Sequence, residues 1–122
     1  MRVASVTCKG EHIRQAKMIT FEIGTYSVFE MAGKDKPVRV YMNDDKKKYR
    51  GYIDFVENYS GAKGYILHAN GIINAFMPLS KLGATLDILR NEKPVYFAVN
   101  DPYNWAALKT GNEPTGEEEA AA

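Results

Sequence analysis

Arg39, Tyr41, Arg50 and Tyr52 stand at alternate positions in two β-patterned stretches, "VRVYM" and "YRGYIDFV", and Lys46, Lys47 and Lys48 crowd the polar segment between them. Guanidinium and ammonium groups neutralise phosphates, and phenol rings offer faces on which unpaired bases stack. Together these residue types could hold single-stranded nucleic acid. The competing reading is structural: Arg–Tyr pairs cover the solvent side of a sheet, and a lysine-rich loop discourages edge-to-edge pairing. Both readings need the same geometry. If Val38, Val40 and Met42 face a core, a hairpin about Asp44–Asp45 must bring Tyr49, Gly51 and Ile53 to that side, leaving the two arginines and two tyrosines opposite.

Reactive chemistry is sparse elsewhere. "GAKG" lacks the length and the Lys-Ser/Thr ending of a phosphate-cradling loop, and Ser5, Ser27, Ser60 and Ser80 are not framed as a nucleophile elbow. His12 and His68 offer no His-x-x-His or Glu-x-x-His spacing, so no metal site and no cofactor is expected. Cys8, Glu11 and His12 are close enough in sequence for a thiolate pair, but a small buried thiol is the simpler reading. Asp54 and Glu57 point to opposite faces of a strand and so do not converge on one substrate. A ligand pocket lined by Phe21, Phe29, Phe55, Phe76, Phe97 and Trp105 is the remaining alternative, against the same rings simply filling a core. These features lean away from an enzyme.

The 122 residues suit one domain with a self-sufficient core. A single cysteine rules out an internal disulfide and favours a reducing compartment. With no apolar run long enough for a signal peptide or a membrane span, a soluble cytoplasmic protein with no membrane partner is expected. Net charge is +1, but without Glu113, Glu117, Glu118 and Glu119 sixteen cations face eleven anions, a net +5. The body is mildly basic and the tail acidic.

The elements that must position these residues follow from periodicity. "MITFEI", "VRVYM" and "YRGYIDFV" alternate as strands. "GYILHANGIINAFM" holds two apolar runs about Asn70–Gly71, the signature of a two-residue type I′ turn. Pairing Ala69 with Ile72 places Tyr65, Leu67, Ile72 and Phe76 on one face, and His68 with Ile73, Ala75 and Met77 on the other. Both faces are apolar, so the second needs a cover, which is either internal or a second subunit in a homodimer. Leu79, Leu82, Leu86 and Leu89 mark the main helix, near residues 79–91. Pro94 stops it, and "VYFAVNDPYNWAALKT" reads as a C-terminal hairpin with Trp105 beside Val99 covering an end of the core. Residues 10–17 suit a short turn or helix. Residues 1–112 form the domain and 113–122 a flexible acidic tail. The fold class is α+β, mostly antiparallel β: a small, strongly bent sheet or partly open barrel with one helix.

Two resemblances accompany this pattern. "PVRVYMNDDKKKYRGYIDFVEN" is similar to the first motif of Sm-type RNA-binding proteins, which implies a small barrel, RNA binding and ring assembly. Downstream, "HANGIINAF" lacks that family's arginine–glycine second motif. "LRNEKPVYFAVNDPYNWAALKTGNEPTGEEE" resembles the ending of short bacterial proteins of the mobile gene cassette (integron) type, a group that implies no agreed activity. The expectation is a non-catalytic binding or interaction module that self-associates as a homodimer. The alternatives are a single-stranded nucleic-acid binder and a small-ligand protein or enzyme.

Overall fold

The alternation of buried and half-exposed residues along the central strand organises everything around it. A computed structural model describes residues 17–33, 36–61, 63–101 and 103–112. Its strands are β1 (Lys17–Glu30), β2 (Val38–Asp44), β3 (Tyr49–Val56), β4 (Tyr65–Leu67), β5 (Ile73–Pro78), β6 (Val95–Asp101) and β7 (Trp105–Thr110). A 3₁₀ turn (Leu79–Lys81) leads into the helix α1 (Leu82–Asn91), between β5 and β6. The strands form one curled sheet in the order β4-β5-β3-β2-β1-β6-β7, antiparallel throughout except where β5 lies parallel to β3. The architecture is the bent α+β sheet that the periodicity calls for.

Val40, Met42, Ile53, Phe55, Ala75 and Phe97 are sealed from solvent on the concave side. The leucine stripe of α1 and its lead-in turn, Leu79, Leu82, Leu86 and Leu89, packs on this cluster, so burial of one helical face outweighs the cost of Gly83.

Two departures from strict alternation bend the sheet near the end of β2. At Gly24 the pairing of β1 shifts, with Ile23 opposite Asp44 but Thr25 opposite Asn43, so the inward set changes from Phe21 and Ile23 to Tyr26 and Val28. β1 pairs with β6 before that point and with β2 after it, joining the two halves of the sheet. On the other side of β2, Met42 pairs with Gly51 but Asn43 with Tyr49, which leaves Arg50 as an extra residue. Gly51 has φ +153°, and a Cβ there would collide with the backbone of Ile73 on β5, so glycine is required.

The Asn70–Gly71 turn corrects the expected register. The His68 N–H donates to the Ile72 carbonyl and the Gly71 N–H to the His68 carbonyl, and only Gly71 of this turn has positive φ, at +89°. The loop has three residues ending in a left-handed glycine, instead of two residues of a type I′ turn. Leu67 therefore pairs with Ile73 and Tyr65 with Ala75. The one-residue slip exchanges faces. Tyr65 and Leu67 lie with Ile73 and Ala75 on the concave side, while Phe76 shares the convex side with Asp54, so Tyr65, Leu67, Ile72 and Phe76 do not form one surface. His68 is exposed beside the turn instead of buried in the core.

The C-terminal hairpin forms as expected, but Trp105 stands opposite Asn100 and Val99 opposite Ala106. Its ring is on the side away from the core and substantially exposed. The expected turn or helix at residues 10–17 lies outside the described residues except for Lys17, which opens β1. The acidic tail from Glu113 onward also lies outside them.

The two ends of the sheet meet at Asn104. Its Nδ2 donates to the Tyr65 carbonyl at 3.1 Å and its Oδ1 accepts from the Gly64 and Tyr65 N–H groups at 2.7 and 3.3 Å. Its own carbonyl accepts a further bond from Gly64 at 3.2 Å. One side-chain amide thus imitates a strand partner and clasps β4 to the β6–β7 turn. Asn104 has φ +55°, so Asn104→Gly removes the clasp and leaves the backbone relaxed. We expect this change to lower stability by about 2 kcal/mol in urea unfolding, because it strips partners from half-buried backbone groups.

Candidate protein interface

With Val40 and Met42 held inward, strand geometry turns Arg39 and Tyr41 outward on the convex side. Their neighbours there are Phe29 on β1, opposite Arg39, with Tyr52 opposite Tyr41 and Asp54 opposite Arg39 on β3. Tyr41 is the hub. Its ring lies 5.1 Å from Phe29, nearly edge-on, 5.7 Å from Tyr52 and 6.1 Å from Tyr49. Such tilted pairs contribute about 0.5–1.5 kcal/mol each beyond their burial. Phe29 stays 53% exposed and Tyr49 39%.

Arg39 is committed within this cluster. Its Nε donates to Asp54 Oδ1 at 2.7 Å and its second terminal nitrogen to Oδ2 at 3.3 Å. A third donor reaches the Tyr41 hydroxyl at 3.3 Å. The guanidinium carbon rests 4.2 Å from the Tyr52 ring centre. The Asp54 side chain has no exposure, so its charge depends on this fork for compensation. The bond to Asp54 in turn holds Arg39 well above the ordinary arginine range. Burial raises the Tyr49 phenol above its usual value. The surface is a mostly uncharged aromatic cluster around a compensated ion pair.

Arg50 is not part of it. The extra residue at the β3 irregularity sends Arg50 to the concave side, where its guanidinium lies 4.4 Å from the Phe21 ring centre and 3.4 Å from Asp44 Oδ2. The same irregularity brings Tyr49 to the convex cluster in its place. Thus Arg39, Tyr41 and Tyr52 gather as expected, while Arg50 is replaced by Tyr49 and Phe29. Lys46, Lys47 and Lys48 are exposed at the hairpin tip next to Tyr49.

Asp44 builds that tip. Its Oδ1 accepts from the Lys46 and Lys48 N–H groups, each at 2.9 Å, and Lys47 takes the left-handed conformation at φ +69°. The Lys48 N–H above all, with the Lys46 N–H and the Arg50 guanidinium, holds the Asp44 carboxyl below the usual aspartate range against the opposing effect of burial.

Other candidates disperse. Asp54 is bound to Arg39 and Glu57 lies exposed in the turn beyond β3, so they do not pair. Cys8, Glu11 and His12 lie outside the described residues. Phe21, Phe55 and Phe97 fill the core, Phe76 lies beneath Lys36, and Phe29 and Trp105 face solvent, so the six rings do not line one pocket. A groove of about 450 Å³ opens between Ile19, Tyr65, Leu67 and Asn104 at the seam of the sheet. Another of about 490 Å³ lies between the end of α1 and β1. Neither includes the aromatic cluster. Among the described residues no helix is long and apolar enough to cross a membrane.

Arg39→Ala leaves the Asp54 carboxylate buried without its cation and should cost about 3–5 kcal/mol in chemical unfolding, whereas Arg39→Met with Asp54→Leu should recover most of that loss. A depressed carboxyl contributes stability above its unfolded value and loses it as pH falls through the lower folded one. The stability gap between the native protein and Asp44→Asn should therefore be constant above about pH 5 and narrow below about pH 4, as read from acid unfolding curves. Comparison of the chain with protein-family models, curated proteins and solved structures finds no match, so the chemistry of this surface carries the functional argument.

Proposed function

We propose that the protein is a non-catalytic interaction module that pairs with a second copy of itself through the convex aromatic face. The observation that carries this reading is the Arg39–Asp54 pair, which compensates the one cation within the Phe29–Tyr41–Tyr49–Tyr52 cluster and braces Tyr41 and Tyr52. A pre-ordered patch of tyrosine, phenylalanine and arginine has the composition of an interface core and gives up little conformational entropy on binding.

Charge placement favours a second copy as the occupant. Lys46, Lys47 and Lys48 stand at one end of the face, while Glu57 beyond β3 is exposed at the other. A two-fold axis near Tyr41 sets the lysine tip of each copy against the Glu57 end of the other, an isologous arrangement with complementary charge. The single cysteine and the absence of a long apolar run support a cytoplasmic setting for such a dimer.

Single-stranded nucleic acid is the second reading, favoured by the lysine triplet beside Tyr49. Stacking is restricted, however, because Arg39 covers a face of Tyr52 and Tyr41 has three rings against it. Bases would meet chiefly Phe29 and Tyr49.

Light scattering over a concentration series should give about twice 13.7 kDa for the native protein. Phe29→Asp, a change at an exposed position, should return it to the monomer. Lys47→Glu should weaken the dimer and Lys47→Glu with Glu57→Lys should restore it. A monomer at every concentration would overturn self-association, and salt-sensitive oligonucleotide binding lost in Tyr49→Ala would transfer the face to the nucleic-acid reading.

A further inference from the structure

The β4–β5 turn carries chemistry that neither the core nor the convex face uses. Asn70 is followed by Gly71, the only Asn-Gly step in the chain, and both residues are exposed. A Cβ at Gly71 would meet nothing within 4 Å, so no side chain crowds the approach of Asn70 to this amide nitrogen once its bond to His68 opens. The Ile72 N–H donates to Asn70 Oδ1 at 3.1 Å. That bond draws electron density from the side-chain amide carbon and supports negative charge developing on its oxygen, as an oxyanion donor does.

We propose that Asn70 is a self-modification site at which the folded protein converts its own amide, through a cyclic imide, to aspartate and isoaspartate. The Gly71 amide loses its proton to hydroxide, and its nitrogen forms a bond to Asn70 Cγ. The Cγ–Nδ2 bond then breaks, and the amide nitrogen takes up a proton from water and departs as ammonia. Water opens the resulting five-membered imide at either carbonyl, giving the aspartate or the isoaspartate linkage. Water and hydroxide are the only co-reactants, and no electrons are transferred.

The turn also sets the rate. The Gly71 N–H is donated to the His68 carbonyl at 2.9 Å, so this bond must open before the nitrogen can attack. β4 has three residues and lies at the edge of the sheet, which places that opening among local fluctuations instead of global unfolding. The products differ in consequence. Both lower the formal net charge from +1 to zero, but aspartate preserves the acceptor for Ile72. Isoaspartate adds a backbone carbon to the three-residue loop whose length decides which face Tyr65 and Leu67 occupy.

Incubation of the full chain in mildly alkaline buffer, followed by peptide mass mapping that separates aspartate from isoaspartate, tests the assignment. Conversion should appear first at Asn70, quicken as pH rises, and leave Asn43, Asn91 and Asn112 as amides over the same interval. Gly71→Ala should slow it severalfold and Asn70→Gln should abolish it, with circular dichroism used to verify that both variants are folded. An intact Asn70 amide in the folded protein with conversion only in denaturant, or equal conversion at the other asparagines, would overturn it.

Discussion

The burial of Val40 and Met42 between β1 and β3 is the constraint on which the rest of the molecule depends. β2 alternates its side chains regularly from Val38 to Met42, so sealing these two residues commits Arg39 and Tyr41 to the opposite surface. The partner strands then complete both sides. Ile53 and Phe55 extend the core, and Tyr52 and Asp54 extend the convex face. The candidate interface is thus the reverse side of the best-packed part of the protein, and its positions inherit that rigidity.

Asp54 gives the convex face its character. A carboxylate without exposure requires compensation, and Arg39 supplies it with a two-pronged bond while resting on Tyr52. Buried ion pairs add little net stability but are costly to break, so this one acts mainly to hold one arrangement of the neighbouring rings. It also changes the electrostatics of the surface. An arginine that reads in the sequence as a free cation has its charge compensated in the fold by Asp54.

The strands and the helix were legible because each has a clean local period. "VRVYM" and the leucines from 79 to 89 carry their own evidence, since burial of a face leaves a repeat in the chain. The second half of β1 was not legible, because Gly24 reverses the inward set within one strand and cancels the alternation across any window that spans it. Phe29 was missed as a surface residue for this reason. Arg50 and Tyr49 exchanged places through the extra residue opposite Met42, and the slip at Asn70–Gly71 moved Tyr65 and Leu67 away from Phe76. In each case one residue of register separated the two outcomes, and such a step costs too little locally to be read from residue types.

Sequence alone determined the class of the protein: an α+β fold of alternating strands, a leucine-faced helix, a terminal hairpin, and a segment rich in tyrosine, arginine and lysine. These are local properties, set by hydrophobic period and turn chemistry. Only the tertiary structure decided which aromatic residues share a face, that Arg39 is bound by Asp54, and that Asn104 draws the two ends of the sheet together. Those outcomes depend on pairing between segments up to 40 residues apart, where geometry across strands, and not composition along them, selects the neighbour.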